Sequence, residues 1–165
     1  MGTTPVTGRI VKKVWIKASM SVVYSALTQS KELANWFCDR ASCDPREGGE
    51  LVAYWRSGKS GQKGCAVITR LIPGSSLELL WIDDGSGATE KNSHTLAYEL
   101  RSKSGMTELV MTDKDESSSD EAEIAILDQG WNSVLLELKD YCERKERTAK
   151  LRPHSKSVPQ DANPE

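Results

Sequence analysis

Few residues of this 165-residue chain have a type and spacing that could do chemistry. His94 begins an alternating stretch and follows a polar run containing Asp83, Asp84 and Glu90. A proton-transferring base at a cavity mouth is one expectation for it; a surface histidine at a strand end is the more ordinary one. His154, the second histidine, lies in a polar C-terminal stretch and is expected to carry no role. Residues 113–121 are rich in Asp, Glu and Ser and invite a calcium reading. Asp113 and Asp115 fit the first ligand positions of an EF-hand loop, but the glycine position holds Ser118 and the closing glutamate position holds Ile124. The pattern fails, and a solvated loop leading into a helix explains the same residues. Asp83-Asp84-Gly85-Ser86-Gly87 lies between two strand-like runs, whereas a phosphate cradle needs a following helix N-terminus. It reads as a hairpin loop. Cys38, Cys43, Cys65 and Cys142 form no close pair, and two histidines give a zinc site too few partners. The expectation is reduced, partly buried thiols acting as small hydrophobes, with no metal and no cofactor.

The aromatic residues say more. The chain has five tryptophans and one phenylalanine. Trp36 and Phe37 end a short helical stretch, Trp55 and Trp81 fall in strand-like runs, and Trp131 belongs to a long helical one. Rings of this size fill a core, or they line a pocket for an apolar or aromatic ligand beside a few polar groups such as Tyr54, Tyr98 or His94.

Periodicity supplies the elements that must position them. Residues 118–147 carry Ile124, Leu127, Trp131, Val134, Leu135, Leu138, Tyr141 and Cys142 at three-and-four spacing, which predicts one long amphipathic helix. Ser118 with Glu121 fits a capping box. Acidic residues at the start and Lys139, Arg144, Lys145 and Arg147 at the end suit the helix dipole. Residues 8–18 alternate as a first strand, with Ile10, Lys12, Val14, Ile16 and Ala18 on one side. Ser19 or Ser21 then caps a short helix, and Ser30 a second over residues 31–37. Strand-length runs follow at 50–56, 64–72, 76–82, 93–102 and 106–113, each bounded by turn residues, with an irregular strand at 38–44. An antiparallel sheet of this size must curl around something, and the long helix is the only candidate. Residues 148–165 hold three prolines and little that is apolar, and are expected to be a disordered tail.

The motifs in order resemble a known family. Val14-Trp15-Ile16-Lys17-Ala18-Ser19 followed by Val23-Tyr24-Ser25-Ala26-Leu27-Thr28 looks like its opening strand-to-helix signature. Leu33 with Trp36-Phe37 resembles the end of its second helix. Residues 64–71, Pro73 and residues 77–81 resemble the middle strands, and Gly130-Trp131 with Leu135 and Leu138 the last helix. From about residue 8 to 143 the chain is similar to the activator of heat-shock-protein-90 ATPase homologue family of the START/SRPBCC (birch-pollen-allergen-like, helix-grip) superfamily. Ala18-Ser19 stands where the family often has Ala-Pro. No stretch corresponds to the extra N-terminal domain with which the eukaryotic activators engage the chaperone, so the resemblance implies the fold more than co-chaperone activity.

The expected architecture is therefore α+β: a single helix-grip domain over residues 1–147, with a curved antiparallel sheet wrapped around a long C-terminal helix and two short helices after the first strand. The expected function is non-catalytic binding of a small hydrophobic, aromatic or lipid-like molecule between sheet and helix. Trp36, Phe37, Trp55, Trp81, Leu96, Tyr98, Leu109, Met111, Leu127, Trp131 and Val134 would line the cavity. A co-chaperone-like interaction module is the first rival, and it predicts a cavity filled by the protein's own side chains plus an exposed apolar patch. A polyketide cyclase-like enzyme is the second, and it predicts a polar pair inside the cavity. A net charge of −2 gives no reason to expect nucleic acid. No apolar run approaches the ~20 residues of a membrane span, and the first seven residues lack a signal-peptide core. A cytoplasmic monomer, or a homodimer paired through a sheet edge, is expected.

Overall fold

The computed structural model describes residues 8–56, 61–82, 94–115 and 121–151. Their elements run β1 (Gly8–Ile16), α1 (Met20–Thr28), α2 (Ser30–Trp36), β2 (Arg40–Cys43), β3 (Glu50–Trp55), β4 (Gln62–Ile72), β5 (Ser76–Ile82), β6 (His94–Lys103), β7 (Met106–Asp115) and α3 (Glu121–Lys150). The strands form one antiparallel sheet in the order β1-β7-β6-β5-β4-β3-β2. The sheet curves around α3, with α1 and α2 as a helical corner: an α+β helix-grip fold.

Alternation puts one face of every strand inward. Ile10 and Ile16 of β1, Leu51 and Ala53 of β3, Leu77 and Leu79 of β5, Leu96, Tyr98 and Leu100 of β6, and Leu109 and Met111 of β7 are all buried. On β4 the register shifts between Ile68 and Arg70. This bulge reverses the alternation, so that Ala66 and Ile68 point inward before it and Leu71 packs on the core after it. β6 and β7 are joined by Ser104-Gly105, both at positive φ (54° and 78°), the two-residue turn whose twist matches antiparallel strands.

The helical corner is fixed by polar contacts at its ends. Ser19 caps α1, its hydroxyl accepting the Val22 N–H at 3.3 Å. Buried Thr107 donates to the Ala18 carbonyl at 2.7 Å and ties the start of the corner to β7. Ser30 does not cap α2. It is the first helical residue after Gln29, and its hydroxyl accepts the Cys43 N–H at 3.2 Å, so a contact with the edge strand replaces the local one.

The long helix begins at Glu121 and runs to Lys150, three residues beyond the expected end. Ser118, named above as a cap, lies outside the described residues, as does the 83–93 loop. Leu135, Leu138, Tyr141 and Cys142 bury the C-terminal half of α3. Among the described residues no helix is long and apolar enough to cross a membrane.

Candidate functional site

The inner face of the sheet changes character toward the end where β3 and β5 finish. Near its middle it is aliphatic; at the end it carries Trp55 of β3, Trp81 of β5, His94 of β6 and Asp113 of β7. Cross-strand register makes the neighbours: Trp81 stands opposite His94, and Leu96 opposite Asp113. Phe37, just after α2, packs against three indoles, with ring centroids 5.2 Å from Trp36, 5.2 Å from Trp55 and 6.3 Å from Trp81. Trp36 Nε1 donates to the Ala26 carbonyl at 2.8 Å and Trp55 Nε1 to the Phe37 carbonyl at 2.7 Å. Their polar edges are therefore satisfied by backbone, and both rings pack on Phe37. Gly64 belongs to this box. A Cβ there would stand 3.0 Å from Trp81 Cζ3 and 3.2 Å from Trp55 Cζ3, so the missing side chain is the space the two rings use.

Trp36, Phe37, Trp81 and Tyr98 enclose, with Leu27, Leu33, Leu51 and Leu79, a void of only about 10 Å³. That is at the limit for a single water. Tyr98 is 5% exposed, and among the described residues its hydroxyl has no hydrogen-bond partner. Among the described residues no side-chain oxygen sealed from solvent is left without a partner. Burial, followed by the charge of nearby Asp113, pushes its pKa well above the ordinary phenol value. The group is a neutral donor and acceptor.

Beside the box lies a polar group between β6, β7 and α3. Asp113 is 4% exposed. Its Oδ2 accepts Trp131 Nε1–H at 2.7 Å, and its Oδ1 stands 2.8 Å from His94 Nδ1. A carboxylate in that position favours the imidazole tautomer with the proton on Nδ1. Lys12, on the inward side of β1, reaches Asp128 of α3 at 2.8 Å. His94 is thus a half-buried partner of a buried acid and not a plain surface histidine. Asp113 lies in the strand, as the 106–113 run predicts, and β7 continues past it to Asp115 into the segment read as a solvated loop.

Of the expected lining residues, Trp36, Phe37, Trp81 and Tyr98 meet at the void, and Trp55 packs behind Phe37. Leu96, Leu109 and Met111 are fully buried in the core beneath. Trp131 approaches from the helix through Asp113, and Val134 is partly buried. Leu127 departs from expectation. It is 42% exposed and lies outside the core cluster, on a stretch of helix that bonds to the sheet through polar groups, Asp128 to Lys12 and Trp131 to Asp113. Leu27, Leu33, Leu51 and Leu79 were not expected to line the site. Their signal was present, since Leu51 and Leu79 share the alternation of Trp55 and Trp81.

The four cysteines are unpaired. Burial pushes Cys142 up to about 12 and Cys43 up to about 11, with nearby acids adding to it, so both are poor nucleophiles at neutral pH. No group of three potential metal ligands occurs among the described residues.

The family model described as Activator of Hsp90 ATPase homolog 1-like protein matches residues 17–143. No curated protein matches the chain in sequence. Solved structures do. DynU16, a protein of the dynemicin biosynthetic locus, superposes with a TM-score of 0.70 at 20% identity over 84% of this chain, which spans 48% of that protein. The Aha1 dimer of Colwellia psychrerythraea gives a TM-score of 0.67 at 24% identity, covering 82% of this chain and 96% of that one. NE0264 of Nitrosomonas europaea gives 0.71 at 15% identity, covering 84% and 96%. At these identities the likeness speaks for the fold alone.

Proposed function

Since the chain belongs to the Activator of Hsp90 ATPase homolog 1-like family, we propose that its helix-grip interior binds a small, largely apolar or aromatic molecule carrying one polar group. The observation that carries this reading is the void walled by the aromatic residues Trp36, Phe37, Trp81 and Tyr98, the last of which has a hydroxyl with no hydrogen bond among the described residues. A polar group on the ligand would pair with that hydroxyl. The rings supply the apolar contact, at about 25 cal/mol per Å² buried. A drug-sized ligand needs a pocket of roughly 300 Å³ or more. The box must therefore open, and Phe37 at the end of the short α2 is the side chain that closes it. Four unpaired thiols suit a reducing, cytoplasmic setting.

The closed void also matches a module that works through its surface. That reading needs a contiguous apolar patch as well. The exposed large apolar residues, Val11, Trp15, Ile72, Ile126, Leu136 and Leu151 among them, are spread over β1, the end of β4 and α3. Residues scattered in this way are ordinary on a protein surface.

The test is the native mass of the purified protein against its denatured mass, followed by titration with N-phenyl-1-naphthylamine, a neutral aromatic probe. A mass lost on denaturation, or saturable binding that Trp81→Ala weakens, is expected. No extra mass and no saturable binding would end the proposal and shift weight to a co-chaperone-like role, tested by chaperone ATPase stimulation.

A second reading rests on the His94–Asp113 pair. Asp113 would orient the imidazole, and His94 would move a proton on the bound molecule. His94→Ala should then abolish conversion of any ligand recovered from the protein while leaving its binding in place. Unchanged conversion would dismiss it.

A further inference from the structure

Three cations without an ion pair gather on the outer face of the sheet, at the edge farthest from β1. Arg40 opens β2, Tyr54 stands opposite it on β3, and Lys63 stands opposite Tyr54 on β4, so the three form one row across three strands. Arg56 follows directly after β3. Its backbone N–H donates to Asp39 Oδ2 at 2.5 Å, which draws the end of β3 toward the start of β2. Arg40, Arg56 and Lys63, with Tyr54 and Gln62, border one surface pocket of about 510 Å³. None of the three cations takes part in the ion pairs of the described residues, whereas Lys12, Lys13 and Lys139 all do. Arg40 lies over the Tyr54 ring at 4.5 Å from its centroid, and Lys63 Nζ approaches the same ring at 6.0 Å.

Like charges held on one ring repel each other, and in a chain of net charge −2 such a row is not a by-product of overall basicity. A multiply charged anion relieves that repulsion. Arginine presents planar, multiple N–H donors to an oxyanion, and its contact with Tyr54 limits the side-chain freedom lost on binding. One acid borders the pocket, Asp39, and one of its oxygens is already engaged by the Arg56 N–H. The volume exceeds what a lone phosphate fills and leaves room for a small organic body.

We propose that this pocket is an oxyanion site that takes the phosphate group of a small phosphorylated molecule. It shares no lining residue with the void of the aromatic box, although Trp55 borders the pocket as well as packing against Phe37. The site therefore stands whether or not the interior binds a ligand.

The test uses the full chain, with inorganic pyrophosphate as the probe, followed by backbone and arginine side-chain NMR at low ionic strength. Saturable shifts confined to Arg40, Arg56, Lys63 and their neighbours are expected. Arg40→Gln and Lys63→Gln should each weaken binding about fivefold, while Lys13→Gln, which removes a paired cation elsewhere, should leave it unchanged. All three positions are exposed, and an unaltered spectrum away from the substitution confirms folding. Vesicles of phosphatidylserine and phosphatidylcholine form the second arm. Sedimentation with vesicles without a saturable pyrophosphate response would overturn the proposal in favour of a phospholipid surface. Equal weakening by Lys13→Gln, or no saturable response in either arm, would also overturn it.

Discussion

The two halves of α3 share one helical period and meet two different surfaces. From Leu135 onward the helix lies on aliphatic side chains, with Leu138 and Cys142 wholly buried. Two of its acids also hold the turn between β1 and α1: Glu143 accepts the Lys17 N–H and Glu146 the Ser19 N–H, each at 2.9 Å. Tyr141 donates to Glu32 of α2. Before Gly130 the same helix leaves Ile126 71% and Leu127 42% exposed. Around that stretch its named links to the sheet are polar, Asp128 with Lys12 and Trp131 with Asp113. One half of the helix is held by wholly buried side chains, and the other touches the core through the partly buried Ile124 and Trp131 and is tied to the sheet by a few specific bonds beside the aromatic box. A binding site needs that division, since a ligand cannot enter between surfaces that are packed throughout.

The largest effect should come from breaking the packed half. Leu138→Ala removes a fully buried side chain and should cost about 2–5 kcal/mol in a denaturant titration. Leu127→Ala, one helical face-repeat away, should cost about 0.5 kcal/mol or less. Comparable losses would mean that the two halves are packed alike. Next in size is Trp131→Phe, which keeps an apolar ring but withdraws a hydrogen bond from the buried Asp113 carboxyl. The expected cost is about 1–3 kcal/mol. Because the lost bond joins helix to sheet at the box, hydrogen exchange should rise in the first half of α3 and stay unchanged around Leu138. A uniform rise would refute the division.

That division was only half legible in the amino-acid sequence. Strands and helices followed from alternation and three-and-four spacing, and the order of elements then left one way to bury the apolar faces. Period alone does not report what lies across from a residue. Leu127 occupies the inward side of α3 by spacing and is 42% exposed all the same. Asp113 shows the converse. Thr107, Leu109 and Met111 mark the inward positions of β7, and continuing the alternation places Asp113 inward too. The 106–113 run includes it while its charge also fits the acidic 113–121 segment, and β7 in fact extends to Asp115. The unpartnered Tyr98 hydroxyl is a matter of depth and neighbours, which no spacing encodes. Ser30 has the right type for a cap, yet a distant edge strand claims its hydroxyl.

Gly130 marks the boundary between the halves, and replacing it should have the opposite sign. It is exposed within a helix, and a Cβ there would meet nothing within 4 Å. Gly130→Ala should therefore stabilise the protein, by about 1 kcal/mol at most, through helix propensity alone. If the glycine also lets the first half of the helix move, the alanine variant should slow ligand entry without changing the contacts in the box. Stopped-flow association with the neutral naphthylamine would show this as a lower on-rate. A destabilised variant would mean that the site is not the open helix surface it resembles.

The smallest effect is a pH dependence confined to the packed half. Partial burial pushes the Glu143 carboxyl up, but the Lys139 ammonium (2.6 Å), the Lys17 N–H and the charges of both lysines outweigh it and hold the pKa below the ordinary value. A carboxyl depressed on folding adds stability at pH values above its unfolded pKa of about 4.3, and that contribution is lost as pH falls through the folded value. Glu143→Gln should accordingly lower the urea midpoint at about pH 6, and the difference from wild type should close on acidification below about pH 4. Other carboxylates titrate over the same range, but they do so in both proteins and cancel in the difference. A gap that persists in acid would mean that glutamine fails for reasons of shape, not charge. A gap absent at neutral pH would mean that the Lys17 N–H finds another acceptor, and that the β1–α1 turn is held by Glu146 and the buried apolar contacts of α3.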